Sequence, residues 1–152
     1  MDKPQTGLIR RTFAVPMLAV RDAAGALEFY GKAFGARETV RLQDPAGVVQ
    51  HAEIVIEGAP IMLAEESPEH NRSPETLGGS SVIIQLEVAD ADALIAQAVA
   101  AGAESLRPAE DQFYGQRTGK IRDPYGHVWM LSTPIEEISY EEMHKRFNAF
   151  FS

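Results

Sequence analysis

Residues 20–36 have the sequence VRDAAGALEFYGKAFGA, which is typical of a short helix that follows a strand. Asp22 belongs to the residue types that accept hydrogen bonds from the first backbone amides of a helix. Three apolar side chains then follow at helical spacing: Leu27, Tyr30 and Phe34. Gly35 stands where a C-terminal glycine ends a helix. The pattern therefore predicts a helix that begins after Asp22 and buries one largely aromatic face.

The elements around this helix occur twice along the chain. Strand patterns lie at 12–20, 37–42, 49–57 and 60–64, and again at 81–88, 117–122 and 127–132. A second helix follows Asp90 or Asp92 and ends at Gly102, after which a segment without a clear strand pattern leads to residue 117. Val20 matches Val88 and Met62 matches Met130, and both differences are 68 residues. Because a repeat constrains the fold more than any single element, we predict an α+β fold of two tandem βαβββ modules.

The modules account for most of a single domain spanning residues 1–152. Module 1 covers about 12–64, a linker rich in Glu, Ser and Pro covers 65–79, and module 2 covers about 80–133. A C-terminal helix is predicted at about 139–151. Ser139 and Glu142 form a capping-box pattern there, and Met143, Phe147 and Phe150 form an apolar stripe. This stripe covers part of a sheet or packs against a second subunit.

The amino-acid composition indicates which kinds of binding partner and which cellular compartment to expect. The chain has 152 residues and a formal net charge of −8, which disfavours binding to nucleic acid or to anionic membranes. It contains no cysteine, which excludes disulfides and thiolate chemistry and is typical of the reducing cytoplasm. The polar first residues are unlike a signal peptide, and no apolar run approaches the length of a membrane span. We expect a soluble cytoplasmic protein.

Two segments resemble a known superfamily. They are residues 20–36 and residues 111–131, DQFYGQRTGKIRDPYGHVWML. Both resemble the vicinal-oxygen-chelate superfamily, which includes glyoxalases, bleomycin-resistance proteins and extradiol dioxygenases, and the second segment resembles its PhnB-like subgroup. The resemblance covers about residues 12–133. It implies eight strands in two curved mixed sheets around a small-molecule cavity, with helices on the convex faces. Homodimers are frequent in the superfamily, so we expect a homodimer here.

The resemblance also identifies where a metal would be held. In metal-using members each module supplies one ligand from its first strand and one from its last strand. Aligned on this chain, these four positions are Val15, Met62, Ile83 and Met130. None of these side chains offers an oxygen or an imidazole, and a shift of one residue in either direction brings in no such ligand. We therefore expect neither a metal nor another cofactor at the superfamily's usual site.

Strand alternation predicts which side chains line the cavity. In the strand 49–57, Ala52, Ile54 and Ile56 form an apolar face, so His51 and Glu53 occupy the other face. His51 and Glu53 suit hydrogen bonding better than metal binding, since two ligands do not make a site. The same reasoning packs Trp129 and Leu131 under a helix, together with Val82, Ile84, Leu86 and Val88. The predicted cavity residues are Phe13, Val15, His51, Glu53, Met62, Ile83, Gln85, Glu87, Tyr114, Arg117 and Met130. The methionines form an adaptable floor for a ligand or simply fill space.

Arg117 and Tyr114 lie in a segment that resembles the superfamily's ligand-facing edge. An arginine at this edge could receive a carboxylate or a phosphonate through two hydrogen bonds. The alternative is a salt bridge from Arg117 to a neighbouring acid such as Asp111 or Asp123.

Three functions are compatible with these residues. The first is metal-independent binding of an unknown small organic ligand, which is sequestered without turnover. The second is an enzyme without metal, in which Glu53 or Glu87 is the general base and Arg117 or His51 stabilises charge. The third is a glyoxalase- or dioxygenase-type metalloenzyme with displaced ligands. The apolar metal positions favour the first.

Overall fold

The computed structural model describes residues 13–152, and its strands and helices form two similar halves. Module 1 consists of β1 (Met17–Val20), α1 (Ala23–Phe34), β2 (Arg37–Gln43), β3 (Val49–Ile56) and β4 (Ala59–Glu65). A short helix, α2 (Pro74–Leu77), lies in the linker. Module 2 consists of β5 (Ile83–Glu87), α3 (Ala91–Ala101), β6 (Glu104–Asp111), β7 (Gln116–Arg122) and β8 (Val128–Pro134). The C-terminal helix α4 (Tyr140–Asn148) is followed by a 3₁₀ turn, Ala149–Phe151.

Each module forms one four-stranded mixed sheet. The strand orders are β1-β4-β3-β2 and β5-β8-β7-β6, and in each sheet the first strand pairs in parallel with the last. Met17 lies opposite Met62 in the first sheet, and Gln85 lies opposite Met130 in the second. These two pairs are related by the 68-residue offset of the sequence repeat (85 − 17 and 130 − 62). The predicted α+β fold of two βαβββ modules with a C-terminal helix is therefore confirmed.

The ends of α1 follow the predicted capping pattern. The Asp22 side chain accepts a hydrogen bond from the Gly25 amide at 3.0 Å, and Gly35 closes the helix with a φ of 66°. Glu65, at the end of β4, adds a second acceptor, because its carboxylate binds the amides of Asp22 and Ala23 at 2.8 and 2.7 Å. The carboxylate is favourable near the positive end of the helix dipole. Glu65 of β4, the strand that pairs in parallel with β1, thus helps to fix the point at which α1 begins.

The two modules share a continuous apolar core that runs between α1 and α3. At its centre, the Trp129 ring lies 5.6 Å from the Tyr30 ring and 5.0 Å from the Phe34 ring. The Tyr30 hydroxyl donates to the buried carboxylate of Asp123 in the turn before β8. His127 also connects the modules, because its Nε2 lies 3.0 Å from the backbone oxygen of Ala19. The side chains predicted to pack under the helices at Trp129 and Leu131 are fully buried.

Several elements differ from the sequence predictions. The strand β6 was not predicted, because its sequence ESLRPAED is mostly polar and contains a proline, and its register with β7 is irregular. The first strand begins at Met17; residue 12, its predicted start, lies outside the described residues. Val82 was wrongly placed against a helix. It is 61% exposed, because β5 begins only at Ile83.

The helix α4 is held against the loop that precedes β7. Arg146 pairs with Glu136 at 2.7 Å and donates to the Phe113 backbone oxygen at 3.1 Å, and the rings of Phe113 and Phe147 are 5.9 Å apart. Ser139 caps the helix as predicted by accepting from the Glu142 amide. Throughout residues 140–148 no side chain is fully buried. In the part of the chain that the structure describes, no helix has both the length and the apolar character needed to cross a membrane.

Candidate functional site

The candidate site lies on the helix-free face of each sheet, the face that is not covered by α1 or α3. In β3, Ala52, Ile54 and Ile56 are buried towards α1, so His51 and Glu53 occupy the helix-free face, as alternation requires. In β8, the buried residues Trp129 and Leu131 point to the helices, so Met130 lies on the helix-free face.

One row of directly opposed residues crosses the centre of each helix-free face. The module 1 row is Met17, Met62, Glu53 and Val40, which lie on β1, β4, β3 and β2. The module 2 row is Gln85, Met130, Lys120 and Arg107, which lie on β5, β8, β7 and β6. Each row therefore has a methionine on its last strand, with a charged residue on the neighbouring strand.

His51 and Glu53 form a polar pair beside the module 1 row. The His51 Nε2 atom lies 3.3 Å from Glu53 Oε1, and the two side chains are 25% and 18% exposed. This geometry suits proton transfer to or from a bound molecule, because an imidazole and a carboxylate share one hydrogen bond. Among residues 13–152 there is no group of three or more His, Cys, Asp or Glu side chains arranged to hold a metal ion.

The side chains at the superfamily's metal positions do not fit a metal ion. Met62 and Met130 lie at the centres of the two rows, Ile83 begins β5, and Val15 lies just before β1. Valine and isoleucine have no donor atom, and a thioether is a weak acceptor that the divalent ions of such sites do not prefer over nitrogen and oxygen. Gln85, which lies opposite Met130, is engaged with the hydroxyl of Ser132, to which its amide nitrogen donates at 3.2 Å. The residues at these four positions therefore do not fit a metal centre.

The helix-free face of module 2 is more polar than that of module 1. Arg107 donates to the hydroxyl of Thr118 at 2.7 Å, and the half-buried Lys120 lies directly opposite Arg107 on the neighbouring strand. Glu87, a predicted candidate for the general base, lies exposed at the end of β5. Lys120 and Arg107 were not identified from the sequence. The buried Ile121 beside Lys120 was the signal that could have placed the lysine on the helix-free face.

Arg117 lies on the other face of the same strand. Gly119, two residues further along β7, packs against Ile95 of α3. Residues two apart in a strand lie on the same face, so Arg117 is on the helix side of β7. The guanidinium binds Asp92 through two hydrogen bonds of 2.6 and 3.0 Å and Asp111 through one of 2.9 Å. The hydrogen bonds from Arg117 lower the pKa of Asp92 below its usual value. Asp111 was one of the two alternative partners named from the sequence, whereas the other, Asp123, binds Tyr30 instead.

The remaining predicted cavity residues are spread along the edges. Tyr114 packs edge-on against Phe113 in the loop that holds α4, with ring centroids 5.1 Å apart, and Phe13 is largely exposed before β1. A cleft of about 270 Å³ separates the edge strands β1 and β5. It is lined by Pro16, Met17, Leu18, Ser80, Val82, Ile84 and His127. Met17 belongs both to this mostly apolar cleft and to the module 1 row, so the two regions are continuous.

Known proteins are similar to this chain in sequence or in fold. The uncharacterized protein Mb0911c of Mycobacterium bovis is 41% identical over 132 residues, which are 84% of this chain and 87% of that protein. The crystal structure of TioX from Micromonospora sp. ML1 has a TM-score of 0.64 and 26% identity, and the match covers 84% of this chain and 100% of TioX. The X-ray structure of the Arabidopsis thaliana gene product At5g48480 has a TM-score of 0.65 and 29% identity, with 81% of this chain and 99% of that chain covered.

A family model covers most of the chain. The model described as Glyoxalase/Bleomycin resistance protein/Dioxygenase superfamily matches residues 12–131. These residues include module 1, module 2 as far as the middle of β8, and both rows of the helix-free faces. The chain belongs to the glyoxalase/bleomycin resistance protein/dioxygenase superfamily.

Proposed function

We propose that this protein binds a small organic molecule on its helix-free faces, without a metal, and sequesters it without turnover. The observation that carries the proposal is the pair Met62 and Met130. They occupy the centres of the two rows, at positions where metal-using members of the superfamily carry ligands. Binding needs shape and burial rather than a Lewis acid, and a thioether adapts to irregular apolar surfaces.

The mixture of side chains supports a ligand-binding role. Binding sites for small molecules are mostly apolar, with a few polar groups that fix the ligand's orientation. Here the apolar part is supplied by the methionines and the cleft between β1 and β5. The polar part is supplied by the pair His51 and Glu53 and by the module 2 row.

We propose that the protein is a homodimer, of the PhnB-like subgroup and cytoplasmic. Apolar side chains remain open to solvent on or beside the helix-free faces: Phe13, Met17, Leu42, Val82 and Ile83. A single sheet face covers a ligand on one side only, and a second copy of this chain would cover the other side. The absence of cysteine agrees with a reducing compartment.

A thermal-shift screen of metabolites and antibiotics tests the binding function. A ligand present at 100 times its Kd stabilises the folded state by about 2.7 kcal/mol. Each kcal/mol raises the Tm of a chain of this size by about 2–4 °C, so such a ligand is readily detected. Met62→Ala and Met130→Ala should reduce the shift, whereas Val99→Ala, a change at an exposed site on α3, should not. Mass spectrometry of the incubated ligand should return it unchanged.

The hydrogen-bonded pair His51 and Glu53 supports a second candidate, an enzyme without metal in which Glu53 is the general base. A screening hit that is converted to product, with conversion lost in Glu53→Gln while binding persists, would establish this alternative. In that case sequestration would be the wrong description. Met62→Ala should then reduce binding and turnover together.

A further inference from the structure

Two positive side chains face each other on the helix-free face of module 2. Arg107 on β6 and Lys120 on β7 are directly opposed in the antiparallel register. Side chains in such pairs are close neighbours, and like charges in this position are unfavourable unless a counter-charge is present. Their placement therefore favours a negative group above this part of the sheet.

The described part of the chain supplies little of that counter-charge. Within residues 13–152 the side chain of Lys120 makes no hydrogen bond or ion pair. The carboxylate that Arg107 approaches is Glu110, at a long 3.5 Å, and its short contact is with the neutral hydroxyl of Thr118. Five other arginines lie within 2.6 to 3.2 Å of a carboxylate: Arg21, Arg41, Arg117, Arg122 and Arg146.

Burial distinguishes Lys120 from the other unpaired cations. Arg37, Arg72 and Lys145 also lack an ion pair within the described part of the chain, but all three are exposed to solvent. Lys120 is half-buried beside Met130, which lies directly opposite on β8. A partly desolvated ammonium binds a fixed anion more strongly than a fully hydrated one. In a chain with a net charge of −8, an unpaired cation in this position is most simply explained by an external partner.

The repeat provides an internal comparison. The positions in module 1 that correspond to Lys120 and Arg107 are Glu53 and Val40 (120 − 53 and 107 − 40 are both 67). The module 1 row therefore carries a carboxylate where the module 2 row carries a cation. The two rows therefore differ in charge at corresponding positions, so the two faces are not equivalent for a charged ligand.

We infer that Lys120 and Arg107 form the subsite for the oxyanion end of the ligand, a carboxylate or a phosphate, with the ligand's apolar body packed on Met130. The inference rests on the proposed binding function and deepens it by naming the ligand class, an organic anion. The planar guanidinium of Arg107 can donate two parallel hydrogen bonds to such a group, and Lys120 contributes a point charge.

NMR titration with matched probes tests the subsite. The probes are benzoate, phenyl phosphate and the neutral isostere benzamide, each added at constant ionic strength and followed in amide spectra. We expect benzoate or phenyl phosphate to shift the amides of β7 and β8 saturably, and benzamide to bind far more weakly. The comparison of benzoate with phenyl phosphate identifies which oxyanion is preferred.

Charge variants separate recognition from general attraction. Lys120→Met keeps most of the side-chain volume and should weaken the preferred anion about tenfold, as expected when one charge-assisted hydrogen bond is lost. Lys120→Arg should restore most of the affinity. Lys145→Met, an exposed lysine on α4, should leave it unchanged. Lys120→Met should also leave the ligand-free protein at least as stable as the wild type, because it relieves the repulsion from Arg107.

The outcomes distinguish this inference from the proposed function. If benzamide binds the module 2 face as well as benzoate does, or if Lys120→Met leaves the anion affinities unchanged, the oxyanion subsite is wrong while small-molecule binding stands. If the probes bind elsewhere and neutral screening hits bind at Met130, the subsite is also wrong. If neither anionic nor neutral compounds bind either helix-free face, the proposed function fails, and the subsite fails with it.

Discussion

The buried hydrogen bond between Tyr30 and Asp123 joins the two modules, and Tyr30→Phe removes it with little change in volume. Tyr30 is fully buried, Asp123 is 3% exposed, and the hydroxyl lies 2.5 Å from Asp123 Oδ2. Burial, and then the charge of Asp123, raise the pKa of Tyr30 well above its ordinary value, so the hydroxyl keeps its proton and donates. Asp123 also accepts the indole N–H of Trp129 at 2.9 Å and the backbone amides of Tyr125 and His127.

The magnitude follows from this geometry. A hydrogen bond to a charged group contributes about 1.5–3 kcal/mol, and the other three donors to Asp123 remain in Tyr30→Phe. We therefore expect the free energy of unfolding to fall by about 2 kcal/mol and the Tm by about 4–8 °C. Asp123→Asn should cost more, about 3–5 kcal/mol, because the new NH2 group must face N–H donors in either orientation. It meets either the indole N–H of Trp129 or the backbone amides of Tyr125 and His127.

Urea and thermal unfolding of both single variants and the double variant measure these effects. The fluorescence of Trp129, the one tryptophan of the chain, reports on the same site. The double-mutant cycle should give a coupling of at least about 1 kcal/mol, since the residues are in direct contact. Tyr140→Phe, at an 80% exposed tyrosine, is the control. The reasoning is refuted if Tyr30→Phe stays within about 0.5 kcal/mol of the wild type, the range typical of surface changes.

Three further predictions concern pH, packing and metal. Hydrogen bonds, of which the one from Ser73 is the largest contribution, lower the pKa of Glu66 from 4.5 to about 2. The stability that the ionised Glu66 adds is therefore present above pH 4.5 and is lost as the pH falls towards 2. Urea unfolding at a series of pH values should show a smaller loss of unfolding free energy in Glu66→Gln than in the wild type over this range. Gly119→Ala should lower the Tm, because the added Cβ meets the side chain of Ile95 and lies 3.0 Å from the Ala109 amide nitrogen. The control Gly31→Ala lies in a helix, and the nearest atom outside that helix's own backbone and the adjoining residues is 3.9 Å from the added Cβ, so the free energy of unfolding should rise by about 0.5–1 kcal/mol. Dialysis against EDTA should change neither Tm nor ligand binding; stoichiometric zinc, nickel, manganese or iron whose removal abolishes activity would instead identify a metalloenzyme.

The helices and the repeat could be predicted from the sequence because each depends on local or periodic signals. Asp22 and Gly35 mark the ends of α1 through their own conformational preferences, and the regular alternation in β3 assigns His51 and Glu53 to one face. The strand β6 could not be predicted in this way, since its polar residues form a strand only because β7 supplies the hydrogen-bonding partner.

The polar part of the site was predicted less well, and β7 shows why. Its sequence QRTGKIR contains one large apolar residue, Ile121, and its other helix-facing positions are Gly119 and the charged Arg117. Because a glycine has no side chain, Gly119 gives no sign in the sequence that this side of β7 faces the helices. In the structure Gly119 is buried because Ile95 of α3, which is distant in the sequence, packs against it. The cation on the helix-free face is therefore Lys120, whereas Arg117, identified through family resemblance, faces α3 and its acids.

Met62 and Met130 can be tested for a binding role by comparison with their neighbours in the sequence, because those neighbours belong to the hydrophobic core. Leu63 and Leu131 are fully buried against the helices, whereas Met62 and Met130, one position earlier, are only half-buried on the opposite face. If the methionines serve an external molecule, Met62→Ala and Met130→Ala should each cost less than about 1 kcal/mol in the ligand-free protein, well below the roughly 2–5 kcal/mol expected for Leu63→Ala. The same two variants should lose ligand-induced stabilisation. Costs equal to that of Leu63→Ala would mean that the methionines fill space inside the protein, and the binding floor would have to be sought in the cleft between β1 and β5 instead.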